Sequence, residues 1–101
     1  MFLKKYTHTV NSPMNQKQCT KCGLEFLGTV FFLYVVLLTS DAWAIGLALA
    51  FVIYVAGGGH FNPAISIMMY AKNKLSLEET LMYIVAQVLG GLVALGLYKL
   101  I

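Results

Sequence analysis

The sequence predicts an all-α integral membrane protein, and two observations lead to this class. Of the 101 residues, 59% are hydrophobic and 11% are charged, whereas about a quarter of residues carry charge in an ordinary soluble domain. The apolar residues also stand in long blocks, as membrane-spanning helices require. We therefore predict a polar cytosolic tail over residues 1–23 and a membrane domain over residues 24–101.

Three apolar blocks are predicted to cross the membrane as helices, over about residues 24–40, 42–57 and 77–101. The second block is short for a hydrocarbon core of about 30 Å, so its helix is expected to extend by a residue or two at either end. The third block follows a Ser-x-x-Glu capping box, which marks a helix start. Small residues four apart favour close helix contact, and these helix-packing candidates are Gly46 and Ala50 in the second span and Ala86, Gly90 and Ala94 in the third.

The stretch between the second and third spans, about residues 57–71, is predicted to be a re-entrant loop followed by a half-helix. Gly57, Gly58 and Gly59 allow the backbone to bend sharply. Pro63 suits the first turn of a helix, because that position needs no backbone N–H. Irregular backbone at membrane depth is tolerated only where protein buries it or where it lines a water-filled cavity. The stretch therefore indicates a channel or transporter.

Four short motifs resemble, in the same order, those of one half of the aquaporin (major intrinsic protein) family. They are Glu25-Phe26-Leu27-Gly28-Thr29, Ile45-Gly46-Leu47-Ala48, Gly58-Gly59-His60-Phe61-Asn62-Pro63-Ala64-Ile65-Ser66 and Ala86-Gln87-Val88-Leu89-Gly90-Gly91. The resemblance implies three transmembrane helices plus one re-entrant half-helix that carries Asn-Pro-Ala. It also implies a channel for passive transport of water or small neutral solutes. Such a half would form a pore only as a homo-oligomer or with a second aquaporin half.

The resemblance assigns roles to particular residues. Asn62, Pro63 and Ala64 match the pore motif, and the carbonyls of Gly58, Gly59, His60 and Phe61 match pore-lining acceptors. Glu25 matches a glutamate that braces the loop. The residue by itself is also compatible with a position at the membrane interface. Ile45 matches a selectivity position, while counting back from the loop without a gap points to Ala42 instead. For His60, bonding to neighbouring backbone and tuning the pore with pH both stay open.

Other classes of function are less compatible with the sequence. The lysines flank apolar runs instead of forming a basic stripe, so no nucleic-acid partner is expected. The spans hold no carboxylate pair, nucleophile–base set or metal cluster, so neither an enzyme nor a cofactor is expected. Cys19 and Cys22 form a CxxC pair, which can bind zinc or act as a redox couple, but a zinc site needs four ligands and only His8 is nearby, so two reduced thiols at the membrane surface are expected. The remaining alternative is a non-transporting, truncated membrane protein that associates with aquaporin-like channels through its small-residue helix faces.

The distribution of lysines predicts the orientation in the membrane. With the N-terminus in the cytosol and the C-terminus on the opposite face, a single lysine, Lys99, lies outside. The lysines then placed inside are Lys4, Lys5, Lys17, Lys21, Lys72 and Lys74. Such a bias follows the positive-inside rule, and it argues against a dimer of two copies inserted in opposite directions.

Overall fold

The computed structural model describes residues 15–101, and within this range the chain is helical with no strand. The four helices are α1 (Gln16–Leu38), α2 (Ala42–Val55), α3 (Pro63–Ala71) and α4 (Leu77–Leu100). The predicted all-α class is therefore confirmed for this part of the chain. Residues 1–14 of the predicted tail, with Lys4 and Lys5, lie outside the described residues.

Helix α1 begins well before the predicted first span. The Asn15 side chain accepts a hydrogen bond from the Gln18 N–H at 2.8 Å, and the Gln18 side chain accepts one from the Asn15 N–H at 3.0 Å. This reciprocal capping box starts the helix at Gln16 instead of residue 24. Residues 16–23, predicted to belong to the tail, are thus helical. As a consequence, Glu25 lies in the interior of α1 and not at its beginning.

Helix α2 is shorter than the predicted second span and does not extend to residue 57. It is capped at its start by Asp41, whose carboxylate accepts a hydrogen bond from the Ala44 N–H at 2.8 Å. It ends because Gly57 and Gly58 adopt positive φ angles of 69° and 104°. Fourteen helical residues cover only about 21 Å at the usual rise per residue. Among the described helices, α1 and α4 are the two that are long and apolar enough to cross a membrane.

Helices α1 and α4 form the central, parallel pair. Near their N-terminal ends the Gln18 side chain donates to the Glu79 carboxylate at 3.2 Å. Toward their C-terminal ends the rings of Tyr34 and Tyr98 lie with centroids 6.5 Å apart. The two helices come close together at Gly90, where an added Cβ would lie 2.9 Å from the Phe26 carbonyl oxygen of α1. Of the other predicted packing residues in α4, Ala94 is fully buried and Ala86 is half-buried.

The two shorter helices pack on different long helices, α2 on α1 and α3 on α4. Helix α2 faces α1 through its buried residues Ala48 and Val52. Gly46 and Ala50, the predicted packing pair of α2, are exposed, and an added Cβ at Gly46 would find no atom within 4 Å. Since successive residues of a helix are 100° apart, this pair points away from the Ala48–Val52 face. Gly46 and Ala50 are therefore not packing residues within the described chain.

Candidate functional site

The loop between α2 and α3 is held by an aromatic side chain that inserts against α1. Phe61 is only 3% exposed and has a φ of 57°, an uncommon value for a residue with a side chain. Its ring lies over Gly28 of α1 and Gly59 of the loop, and an added Cβ at Gly59 would be 2.7 Å from the ring. At Gly28 an added Cβ would overlap the ring directly. Both glycines therefore provide the space that the Phe61 ring occupies.

The carboxylate of Glu25 binds the backbone of this loop. One carboxylate oxygen, Oε2, accepts a hydrogen bond from the His60 N–H, and the other, Oε1, accepts one from the Phe61 N–H, both at 2.7 Å. The Gln87 side chain of α4 donates a third hydrogen bond, to Oε1, at 2.9 Å. Glu25 is 2% exposed, and a buried carboxylate is stable only when donors of this kind replace its water.

Two further side chains extend this network into α3 and α4. The Gln87 side-chain nitrogen also donates to the Ser66 hydroxyl at 2.9 Å. The Ser66 hydroxyl lies 2.8 Å from Nδ1 of His60, and the Tyr83 ring flanks the His60 ring with centroids 5.1 Å apart. We call Glu25, His60, Ser66 and Gln87 the polar cluster. It joins α1, α3, α4 and the loop through side chains of which Glu25, Ser66 and Gln87 are almost wholly buried.

The polar cluster lies near the middle of the two long helices. Glu25 is the tenth residue of the 23-residue α1, counting from Gln16. Gln87 is the eleventh residue of the 24-residue α4, counting from Leu77. The loop that these side chains hold is therefore at mid-height of the α1–α4 pair and not at either end.

Asn62 follows the loop and begins α3. Its side-chain oxygen accepts a hydrogen bond from the Ala64 N–H at 2.8 Å, and Pro63 occupies the first helical position. Because the oxygen is used as the helix cap, the amide NH2 group is the part of the side chain left for other partners. This NH2 group makes no hydrogen bond within residues 15–101, and Asn62 is exposed. The loop end thus presents a hydrogen-bond donor beside the N-terminus of a helix.

The side chains of the remaining predicted residues that the structure describes make no hydrogen bond to the polar cluster. Ile45 is half-buried in the first turn of α2, and Ala64 is exposed in the first turn of α3. Cys19 and Cys22 are free thiols on α1. In the described part of the chain no group of three or more His, Cys, Asp or Glu side chains is arranged to hold a metal ion.

Ser66 and Gly28 were noted in the sequence only as parts of motifs, and neither was predicted to belong to the site. A signal for Ser66 was present, because it is a polar residue in an otherwise apolar helix, four positions after the cap residue Asn62. Gly28 follows Glu25 by three residues, so both lie on one face of α1.

The fold and the site define a helical membrane protein with a buried polar cluster that holds a loop at mid-height. The family model of the major intrinsic proteins matches residues 36–101, about two thirds of the chain. The chain therefore belongs to the major intrinsic protein family. Family membership and the two long apolar helices together identify an integral membrane protein.

Curated relatives agree with this assignment. "Probable aquaporin PIP2-7" of Oryza sativa subsp. japonica is 33% identical, over 74% of this chain and 34% of the relative. "Probable aquaporin PIP1-5" of Arabidopsis thaliana is 38% identical over 74% and 33%. "Glycerol uptake facilitator protein-like 6" of Lactiplantibacillus plantarum is 36% identical over 74% and 40%. The chain thus spans about a third of the length of these relatives. No solved structure matches it.

Proposed function

We propose that this chain forms one half of a membrane channel for the passive transport of water or small neutral solutes. The observation that carries the proposal is the attachment of the loop to Glu25, which Gln87 binds in turn, at mid-height of the two long helices. The similarity to relatives named as aquaporins and as a glycerol uptake facilitator supports the same kind of substrate. Membership of this family also supports the prediction that the chain is not an enzyme.

In this proposal residues 57–71 are the re-entrant element, and α1, α2 and α4 are the three spans. Helix α3 has nine residues, which cover about 13 Å and so less than half of a hydrocarbon core of about 30 Å. Because its N-terminus adjoins the loop, its unpaired N–H groups and the positive end of its dipole face the middle of the membrane. A positive potential there disfavours cations, including hydronium, while water and uncharged solutes pass.

Asn62, with Pro63 and Ala64, would form the narrow part of the pathway. Its NH2 group is free to donate to the oxygen of a water molecule or hydroxyl group, since its own oxygen caps α3. If a second donor, such as one supplied by the second half, fills the other acceptor position of that oxygen, the water molecule no longer accepts a hydrogen bond from the next water in the file, and proton transfer is interrupted. The carbonyls of residues 58–61 are proposed as the acceptors along the pathway, and Ile45 as a residue that limits solute size.

We propose that the N-terminus is cytosolic. The contact between Gln18 and Glu79 shows that α1 and α4 start at the same end of the pair. Lys17 and Lys21 belong to this end, and Lys72 and Lys74 closely precede α4, whereas Lys99 is in its last turn. This distribution supports the positive-inside orientation. Membrane-impermeant labelling of the exposed Cys19, in intact and in permeabilised vesicles, would test it.

A second half is proposed to complete the pore, either another copy of this chain or a partner half. The outer side of α2 is open, with Trp43 80% exposed and Tyr54 86% exposed. The alternative, a non-transporting protein that binds channels through small-residue faces, is disfavoured for α4, because Gly90 and Ala94 are already buried. Of the small-residue faces predicted from the sequence, the face with Gly46 and Ala50 is open in the described part of the chain.

Stopped-flow light scattering of proteoliposomes under an osmotic gradient tests the channel. We expect a water permeability well above that of protein-free vesicles. Asn62→Asp keeps the helix cap and removes the NH2 donor, whereas Asn62→Ala removes both, at a cost in helix stability of about 1 kcal/mol. Both variants are expected to insert and to lower the permeability several-fold, and Ser40→Ala, in the exposed turn before α2, is the matched control. Inserted wild-type protein with the permeability of empty vesicles would contradict the proposal.

A further inference from the structure

We infer that the polar cluster fixes the His60 ring in the neutral form that carries its hydrogen on Nε2, so that the ring presents a second hydrogen-bond donor at the loop. The protonation pattern follows from the hydrogen-bond partners alone. Its role toward a permeating molecule rests on the proposed channel function. Ser66 and Gln87 are then positioning residues, which act on the pathway through His60.

Glu25 determines which groups donate and which accept in the hydrogen-bond network. Its two carboxylate oxygens receive three hydrogen bonds, from the backbone N–H groups of His60 and Phe61 and from Gln87. The two backbone N–H groups can only donate, so both carboxylate oxygens act as acceptors toward the loop. The Gln87 amide turns its NH2 group toward Glu25, because the opposite orientation would place two acceptor oxygens about 2.9 Å apart, and this orientation leaves Gln87 Oε1 buried without a hydrogen-bond partner within residues 15–101.

The orientation of the Gln87 amide in turn determines where the Ser66 hydroxyl hydrogen points. The Gln87 NH2 group also points at Ser66 and donates to its oxygen at 2.9 Å. The hydroxyl hydrogen of Ser66 must then point elsewhere. Within residues 15–101, Nδ1 of His60, at 2.8 Å, is the acceptor available to it. Ser66 is fully buried, so no solvent can replace that acceptor.

The Ser66 hydroxyl in turn determines which nitrogen of the His60 ring carries the hydrogen. If Nδ1 carried a hydrogen, the Ser66 hydroxyl would be a buried donor without a partner. The free-energy cost of such a donor disfavours that form by about tenfold or more. Nδ1 is therefore the acceptor, and in a neutral imidazole the hydrogen must be on Nε2. Nε2 makes no hydrogen bond within the described residues and belongs to a partly exposed side chain.

In both Asn62 and His60 an acceptor atom is occupied within the protein and a donor is left free. This shared arrangement links the polar cluster to the choice of permeating molecule. In each, the acceptor atom is used by α3: the Asn62 oxygen by the Ala64 N–H, and His60 Nδ1 by the Ser66 hydroxyl. What remains on each side chain is a donor. The loop therefore offers two N–H donors, two residues apart, to the oxygen atom of a water molecule or an alcohol.

NMR of the His60 ring nitrogens shows directly which nitrogen carries the hydrogen. The full chain, labelled with 15N-histidine and reconstituted in lipid vesicles, would be measured by solid-state NMR at pH 7.5. The variant His8→Asn assigns the remaining signals to His60. We expect one neutral form, with the hydrogen on Nε2. A spectrum dominated by the Nδ1–H form, or an equal mixture of the two, would overturn the inference in the wild-type protein itself.

Two variants test the positioning residues independently. Ser66→Ala removes the hydroxyl, and Gln87→Met removes the amide that orients it at nearly constant volume. Each is expected to populate the Nδ1–H form to a measurable fraction, whereas Ser66→Thr, which keeps the hydroxyl, and Ser40→Ala should retain the wild-type spectrum. Circular dichroism confirms that the helices persist. Unchanged ring signals in both Ser66→Ala and Gln87→Met would overturn the roles of these residues.

The permeability of the same vesicles separates this inference from the channel proposal. If the wild type does not conduct but shows the expected ring form, the channel proposal fails and the His60 assignment stands. If it conducts, Ser66→Ala is expected to lower water permeability by a few-fold while Ser40→Ala does not. Unchanged permeability in Ser66→Ala, together with an altered ring form, would overturn the role of His60 as a donor to the permeating molecule.

Discussion

The contact between helices α1 and α4 differs in chemistry from the outer face of helix α2. The first encloses the polar cluster and brings the two backbones close at Gly90. The second exposes Trp43 and Tyr54 and carries Gly46 with no neighbour around it. In a membrane, apolar side chains lose little by facing lipid, whereas polar groups must find partners inside the protein. The inner contact therefore gives partners to most of its polar groups, although Thr29 Oγ1 and Gln87 Oε1 are buried without a partner within the described residues, while the outer face of α2 is open to lipid or to another protein.

The largest effect is expected from Glu25→Ala in the inner contact. The substitution leaves the His60 and Phe61 N–H groups without their acceptor, which should cost about 2–6 kcal/mol, or 1–3 for each buried donor. Hydrogen exchange of these two amides should accelerate strongly, while circular dichroism still shows the helices. Unchanged exchange at both amides would show that the carboxylate does not hold the loop.

Glu78→Ala is the matched control for this substitution. Glu78 is in the first turn of α4 and does not touch the loop. Its loss should remove only a favourable interaction with the helix dipole, of about 0.3–1 kcal/mol. The exchange rates of the His60 and Phe61 amides should stay at their wild-type values.

The next effect in size is expected at the close approach of α1 and α4. In Gly90→Ala the new Cβ would lie 2.9 Å from the Phe26 carbonyl oxygen and from Thr29 Cβ, so the helices must move apart. Overpacking of this kind typically costs about 1–3 kcal/mol. Gly96→Ala, in the same helix and with no atom within 4 Å of the new Cβ, should be neutral or stabilising. The free energy of unfolding in detergent measures both, and equal values would refute the packing at Gly90.

A smaller effect is expected at the start of α1. Asn15→Ala removes one half of the capping box, at a cost of about 1 kcal/mol, whereas Asn15→Asp keeps the cap and should be nearly neutral. Hydrogen exchange of the first-turn amides, including Gln18, is the measurement. Equal protection in Asn15→Ala and wild type would mean that the helix does not depend on this cap.

Local sequence signals were sufficient for the helix starts at Pro63 and at Leu77, since a proline and a capping box each act through neighbouring residues. They were not sufficient for α1, because its cap lies in a polar stretch without apolar periodicity, which was read as a tail. They also did not choose the packing face of α2. Its 14 residues are almost all apolar, so the pattern does not distinguish one side of the helix from the other.

The polar cluster shows a different limit of sequence reasoning. Glu25 was expected to hold the loop because of a family motif, and its carboxylate accepts hydrogen bonds from the His60 and Phe61 N–H groups. Ser66 was not expected, because its importance arises only when α3 packs on α4 and brings the hydroxyl to Gln87. A residue whose partners are 6 and 21 positions away leaves no local signature.

The smallest effect on folding is expected at the outer face of α2, and it tests whether this face has a partner. Gly46→Leu places a large side chain where no atom of the described chain lies within 4 Å. Leucine is also the better helix former by about 0.5–1 kcal/mol. The free energy of unfolding of the single chain should therefore stay constant or rise slightly, in contrast to any enlargement of Gly90. If a second half covers this face through close helix contact, the same leucine should reduce association in chemical cross-linking or analytical ultracentrifugation. Association equal to that of the wild type would indicate that lipid covers this face and that the second half binds elsewhere, next to α3 and Asn62.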